Sequence, residues 1–576
     1  MNWWLTRPGR ALSERRAIAE LEHQHPWLRI TKWVLTSETR LSAEFEIEHL
    51  GKVIPLVIIF PSFFPDMPPQ VKPREAVRIS GHQYGAGGEL CLEHRPDNWD
   101  PACTGAMMIE SAYRLIAGET PLGGANADVQ DAHRETIGQS VRGSANRFLL
   151  PADARGNLAS IPPFTVVELV LFEHLVIKHW IAVPARLGTA EAPFWVCGPD
   201  IAKRRSQTGY AVRIDSRFRS AVKPDYDFVE MLAATVEHDE LTKRLQQCDD
   251  ETFFLIECGG DVHVMSIAAG TGKRTAYHYR VIDVPTDANR LPSEYGNLSA
   301  FTVAIVGCGS VGSKIAASLA RAGVDNFVLV DGDILFPGNL VRNDLDWRWV
   351  GLNKPAAVAE RIGEIHPSVN VVTRQILLGG QESSASTDAA LVAVGKCDLI
   401  IDATADPQIF NLCASVARSE KKALVWGEVF GGGFGGLIMR LRPDVDPVPH
   451  AARRQILNWC DERGHTPPEG QAEQYGLSLG DDAPPLIADD ADVSLIAAHM
   501  TRFALDALTR AESIFPHSAY ALGFKPKWIF DAPFDTYPIE LTPEGNWGPE
   551  KDENYEEQLV TLVTELFPAA PASATE

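Results

Sequence analysis

The stretch Phe301-Thr-Val-Ala-Ile-Val-Gly307-Cys308-Gly309-Ser310-Val311-Gly312-Ser-Lys-Ile-Ala-Ala-Ser-Leu-Ala-Arg-Ala322 decides the fold. Its apolar start, 302–306, predicts a buried strand, and 313–322 carries the apolar spacing of a helix. Between them, glycines at 307, 309 and 312 allow a tight turn and close backbone approach, so the N-terminus of the helix faces phosphate with its unpaired N–H groups. A second strand at 327–330 leads into Asp331, 19 residues after Gly312, where an acidic side chain reaches a ribose hydroxyl. A further strand at 399–401 continues an α/β alternation, the pattern of a parallel nucleotide-binding sheet.

By itself the glycine fingerprint favours NAD. The loops beyond the strand ends argue for a different nucleotide. Asp331-Gly-Asp333-Ile-Leu-Phe-Pro-Gly-Asn339-Leu-Val-Arg342, Gly351-Leu-Asn-Lys354 and Asp402-Ala-Thr404-Ala-Asp406 set two basic groups and several carboxylates there. Guanidinium and ammonium offset phosphate charge while a carboxylate holds the metal that bridges phosphates, an array suited to a magnesium-bound triphosphate and not needed for hydride transfer.

These spaced elements, GxGxxG, DxD, NxxR, K and DxTxD, resemble the adenylation domain of ubiquitin-activating enzymes and their ThiF-type bacterial relatives, over residues 301 to about 440. The resemblance implies ATP and Mg2+ as cofactors and adenylation of a protein C-terminus. It assigns Gly307, Gly309 and Gly312 to the nucleotide loop, Asp331 and Asp333 to the ribose and its neighbourhood, Asn339, Arg342 and Lys354 to phosphate, and Asp406 to magnesium. The family usually writes Asp-x-Thr-Asp; here Ala405 takes that slot and the acid falls one residue later. Many relatives carry a zinc site of two CxxC pairs, and this chain has no CxxC pair, which disfavours a sulfur-carrier activator.

The N-terminal block reads as a helix at 11–22, strands at 41–49 and 53–60, a Pro-rich corner at 60–69, an irregular stretch holding Cys91, and a helix at 106–117. That order, with Gly88-Glu-Leu-Cys91-Leu and Trp99-Asp-Pro101-Ala, resembles a ubiquitin-conjugating enzyme over roughly residues 10 to 120. The resemblance makes Cys91 the thioester cysteine; as a thiolate in an exposed loop it would accept an acyl group and keep it activated. The family's His-Pro-Asn triplet, whose Asn supports the oxyanion, appears as His82-Gln83-Tyr84. His94, His82 and Asn98 are then the donors nearest in sequence, with His94 the first choice.

Activating enzymes of this type also take the acyl group on a cysteine of their own. Cys308 lies in the glycine loop, and Cys397 and Cys413 lie beside or within regular elements. Cys460 remains, in the irregular segment after the sheet, where the family carries a crossover loop (about 443–492 here) and a catalytic cysteine. Arg453, Arg454 and Arg463 nearby could lower its pKa. The competing route passes the acyl group directly from adenylate to Cys91, with Cys460 a helix-face thiol.

Composition bounds the rest. The chain has 576 residues with 53 Lys plus Arg against 76 Asp plus Glu, a formal charge of −23 that repels polyanions, so nucleic acid is not an expected partner. No apolar run approaches the roughly 18–20 residues of a membrane span, and charges interrupt the N-terminal stretch, so no membrane association and a cytoplasmic location are expected. The nine cysteines show neither disulfide nor zinc spacing. The expected fold is α/β multidomain: an N-terminal α+β ubiquitin-conjugating-enzyme-like domain (1–148), a mixed α/β linker or docking domain (149–295), and a Rossmann-like ThiF-type adenylation domain (296–576).

The whole resembles the ligase-like protein of antiviral cyclic-oligonucleotide (CBASS) operons. That implies ATP-dependent activation of a partner's C-terminus, a cGAS-like nucleotidyltransferase in that family, then thioester relay and conjugation to a lysine-bearing acceptor. It also implies a homodimer in which an arginine crosses to the phosphates, with Arg290 a candidate. Three rivals stand beside it: the same chemistry on a dedicated ubiquitin-like protein, an NAD-dependent oxidoreductase with an appended domain, and a non-catalytic N-terminal module.

Overall fold

An antiparallel meander organises the first of two units into which the chain divides, Met1–Ser144 and Ala145–Glu576. The computed structural model describes residues 2–75, 77, 79–80, 82–84, 87–119, 137–197, 205–214, 252–269, 274–284, 291–463, 488–550 and 553–567. Arg290, Cys248 and 464–487 of the expected crossover loop therefore lie outside the described residues.

In the first unit, helix α1 (Pro8–Gln24) precedes β1 (Leu28–Leu35), β2 (Leu41–His49), β3 (Lys52–Ile59) and β4 (Gln70–Pro73), paired in that order. Strand β2 shows why the sheet has one wet face: Ala43, Phe45 and Ile47 are fully buried, while Glu44 and Glu46 point outward to Lys32 and Arg74. The hairpin of β5 (Gln83–Tyr84) and β6 (Glu89–Leu90) leads through Cys91 to helix α2 (Gly105–Glu119). Ile18 and Leu21 of α1 and Ile109, Ala112 and Ile116 of α2 complete the core, each large apolar side chain contributing about 1.5–3 kcal/mol. Buried Glu14 ties the helices together: it accepts from the Gly105 N–H at 2.6 Å, at the positive end of α2, and pairs with Arg10 at 2.8 Å.

The second unit opens with a sheet that closes on itself. It contains β7 (Asn146–Pro151), helix α3 (Ala152–Ser160), β8 (Val166–Val176), β9 (His179–Gly188), β10 (Pro193–Val196), β11 (Arg205–Ile214), β12 (Thr252–Cys258), β13 (Asp261–Ala269) and β14 (Arg274–Val284). The strand order β10-β9-β7-β14-β13-β12-β11-β8 gains a β8–β9 pairing that makes a ring of seven strands. Phe148, Leu169, Leu171, Leu255 and Val264 belong to one core and Phe254, Ile256 and Met265 to another, so β12 is buried on both faces.

The rest is the expected α/β alternation. The elements run β15 (Thr302–Val306), α4 (Ser310–Ala322), β16 (Asn326–Val330), α5 (Lys354–Ile365), β17 (Asn370–Arg374), α6 (Ser384–Gly395), β18 (Leu399–Asp402), α7 (Pro407–Ser419), β19 (Ala423–Val429), β20 (Gly435–Leu441), α8 (Pro449–Asp461), α9 (Asp490–Thr509), β21 (Ala519–Gly523) and β22 (Thr536–Ile539). Strand order is β17-β16-β15-β18-β19-β20-β21-β22, the first five parallel. The chain reverses direction across the sheet at β15, and a crevice opens beyond the C-terminal strand ends at such a switch point. One core lies under α4, α5 and α9, the other under α6, α7 and α8. Helix α10 (Tyr555–Leu566) follows and has no buried residue. No helix among the described residues is long and apolar enough to cross a membrane.

Candidate functional site

Two glycines shape the crevice. Gly307 has φ +90°, which favours glycine, and a Cβ there would meet the Thr404 Cγ2 at 2.9 Å. A Cβ on Gly312 would stand 1.8 Å from the Gly307 carbonyl oxygen, so only glycine lets the first turn of α4 lie against the loop. The loop is then held by Asp331, whose Oδ2 accepts from the Cys308 N–H and whose Oδ1 accepts from the Asp333 N–H, both at 2.8 Å. Burial raises the Asp331 carboxyl, against the opposing pull of Lys354.

The cavity beyond measures about 320 Å³ and is lined by Gly307, Gly309, Asp331, Asp333, Asn339, Arg342, Lys354 and Asp406, residues that span 100 positions of sequence. Lys354 opens α5 and donates to Asp333 Oδ2 at 2.7 Å. Asn339 folds back, its Oδ1 accepting from the Phe336 N–H at 2.9 Å. Gly312 lies beneath the loop rather than in the cavity wall. The sequence reading missed the apolar wall of Ile376, Leu377 and Leu378, and Asn343 and Ser310; no strand was expected at Asn370–Arg374, so nothing marked the loop that carries that wall.

Asp406 caps α7, its Oδ1 accepting from the N–H groups of Gln408 at 2.7 Å and Ile409 at 3.3 Å. The extra residue before it, Ala405, adopts φ +57°, a left-handed conformation costing an alanine about 1–2 kcal/mol, which brings the displaced acid back to the cavity. Among the described residues no group of three or more His, Cys, Asp or Glu could hold a metal alone. Magnesium bound with a nucleotide takes only one or two carboxylates, the phosphates supplying the rest, and Asp406 fits that pattern. A second cavity of about 330 Å³ shares Ser310, Arg342, Ala403, Thr404 and Asp406 with the first and extends past Val311, Pro407, Gly427, Glu428, Val429, Ala488 and Val493.

Cys460 sits on the last turn of α8, fully buried in the second core. Burial, with Glu428 and Asp461, pushes its thiol up to about 12, and Arg463 opposes only weakly. The other arginines are engaged elsewhere: Arg453 lies over the Phe410 ring at 5.2 Å and Arg454 pairs with Glu544. This environment disfavours a thiolate. Cys308, Cys397 and Cys413 are likewise buried, with thiols raised by burial.

In the first unit, Cys91 follows β6 and, in place of the exposed loop expected for it, is buried at 7% exposure between Leu90 and Leu92, its N–H donating to the His82 carbonyl at 2.8 Å. His94 turns its ring edge-to-face with Trp99, centroids 6.4 Å apart.

Residues 288–509 match the model of the ThiF family. "Uncharacterized protein y4oA" of Sinorhizobium fredii is 30% identical over 150 residues, 24% of this chain and 25% of that protein. "ATP-dependent ubiquitin transferase-like protein Cap2" of Vibrio cholerae is 31% identical over 144 residues, 24% of this chain and 23% of that one. The chain thus spans about a quarter of the length of these curated relatives. Among solved structures, Escherichia coli MccB with ATP aligns at a TM-score of 0.34 and 12% identity, covering 44% of this chain and 68% of that one.

Proposed function

Because the C-terminal half of the chain carries a ThiF domain over residues 288–509, we propose that the protein activates the C-terminus of a partner protein by adenylation with ATP and conjugates it to an amine through a thioester. The single observation that carries this reading is the pair of cavities sharing Ser310, Arg342, Thr404 and Asp406: one is lined for a nucleotide, the other opens onto the same charged wall. ATP and a carboxylate would give an acyl adenylate and pyrophosphate, with Arg342 and Lys354 offsetting phosphate charge. Asp406 is the carboxylate for magnesium, which would neutralise phosphate oxygens when bound.

The first unit, on this reading, is a ubiquitin-conjugating-enzyme-like domain that carries the acyl group on Cys91 and passes it to a lysine. The burial of Cys460 supports direct transfer from adenylate to Cys91 over a two-cysteine relay. The acyl donor is a cGAS-like nucleotidyltransferase or a dedicated ubiquitin-like protein, the setting is antiviral and cytoplasmic, and the working form is a homodimer. Residues 149–295 serve as a linker and docking domain.

The test is ATP–pyrophosphate exchange by the full chain in the presence of each candidate donor. We expect exchange that requires Mg2+ and a donor with an intact C-terminus, and that falls at least a hundredfold in Lys354→Ala and Arg342→Ala. Nicotinamide binding without exchange for any donor would return the molecule to the oxidoreductase reading.

A further inference from the structure

Acyl transfer from a thioester to an amine passes through a tetrahedral species whose oxygen carries negative charge, and a donor already placed beside the sulfur stabilises it. The β5–β6 hairpin supplies one. Tyr84 pairs with Glu89, and the hydrogen bond from Cys91 N–H to the His82 carbonyl extends the same register by one pair. Side chains alternate along a strand, so His82, Tyr84, Glu89 and Cys91 share one face, with Tyr84 diagonal to Cys91 at a separation an aromatic side chain can span.

The phenol of Tyr84 is hydrogen-bonded to the Glu89 side chain and close enough to Cys91 to feel its charge. Tyr84 is 40% exposed. His94, by contrast, packs against Trp99.

We propose that the Tyr84 hydroxyl, which donates to Glu89 at rest, turns its one proton to the oxyanion formed when an amine attacks an acyl group on Cys91 and donates its hydrogen bond there. This rests on the reading of Cys91 as the thioester carrier. The amine nitrogen bonds to the carbonyl carbon and the carbonyl π pair moves to oxygen, where Tyr84 donates. Collapse breaks the C–S bond, and the proton lost by the amine ends on the departing sulfur, giving amide and thiol. Tyr84 lends a hydrogen bond and keeps its proton. Burial, then Glu89 and Cys91, push the phenol up to about 12, so it stays neutral throughout the physiological range.

The experiment loads the full chain from a synthetic N-acetyl-Gly-Gly thioester of mercaptoethanesulfonate, locates the acyl group by peptide mass mapping, and follows discharge to free lysine. Phe in place of Tyr84 keeps the ring at a half-exposed position, and thiol exchange at Cys91 reports whether the site is intact. Tyr84→Phe should load Cys91 as the wild type does and discharge about a hundredfold more slowly. Equal discharge rates with normal loading would overturn the assignment of Tyr84 and leave the reading of Cys91 standing. Loading of other cysteines with none on Cys91 in the wild type would overturn both.

Discussion

Asp402 ends β18 fully buried, with its Oδ1 accepting from the Thr404 N–H at 3.0 Å and the Thr404 hydroxyl at 2.6 Å, and its Oδ2 without a partner. Burial pushes its carboxyl up to about 6 from an ordinary 3.8. Since the folded-state value lies above the unfolded one, the group supports the fold only while protonated; its contribution, full below about pH 4, is lost as pH rises through 6. Asp402→Asn should therefore be more stable than the wild type at pH 7, the difference shrinking toward pH 4, as denaturant midpoints across that range will measure. At this scale the gathering of Gly307, Asp331, Asn339, Arg342, Lys354 and Asp406 around one cavity was legible in the sequence, because their motifs lie beyond the ends of the neighbouring strands β16, β15 and β18 of one parallel sheet. That Tyr84 lies diagonal to Cys91 was not legible, because only the pairing with Glu89 places it there, although both residues stand in the stretches, His82-Gln83-Tyr84 and Gly88-Glu-Leu-Cys91-Leu, that carry the resemblance.

Local rules set the elements where they are strong. The strand expected at 302–306 is β15 itself, and the helix expected from 313 starts at Ser310, inside the glycine motif. β1 gave no such signal: its burial runs without alternation, so neither a period of two nor an apolar run marks it. The ring in 145–284 was also hidden, since β7–β14 pairing joins positions more than 130 residues apart and no local pattern encodes closure. Two predictions belong here. Gly312→Ala forces a methyl against the Gly307 carbonyl and should destabilise the second unit by about 1–3 kcal/mol, with loss of nucleotide binding, measured by thermal unfolding and nucleotide titration. Cys460→Ala removes a buried sulfur from α8; stability should fall by about 1 kcal/mol while Cys91 still charges with ATP and donor, read by intact mass. Loss of charging in a folded Cys460→Ala protein would restore the two-cysteine relay.

At the scale of the whole molecule, Met1–Ser144 has its own core of Ile18, Phe45, Leu56, Ile58 and Ile109. Residues 1–144 expressed alone should unfold cooperatively in urea. Helix α10 buries nothing, so removing residues 553–576 should leave the melting temperature unchanged. On the proposed reading the two units are joined by chemistry: carboxylate activation in one, acyl carriage in the other. This link is tested most directly by intact mass spectrometry of the Cys91→Ser protein co-expressed with each neighbouring gene product, because an oxyester on the substituted hydroxyl outlasts a thioester. One added mass is expected, equal to a neighbouring product less one water, mapped to position 91 and absent when Lys354 is also changed to Ala. No adduct with any neighbour, together with nicotinamide cofactor binding by the wild type, would contradict that reading.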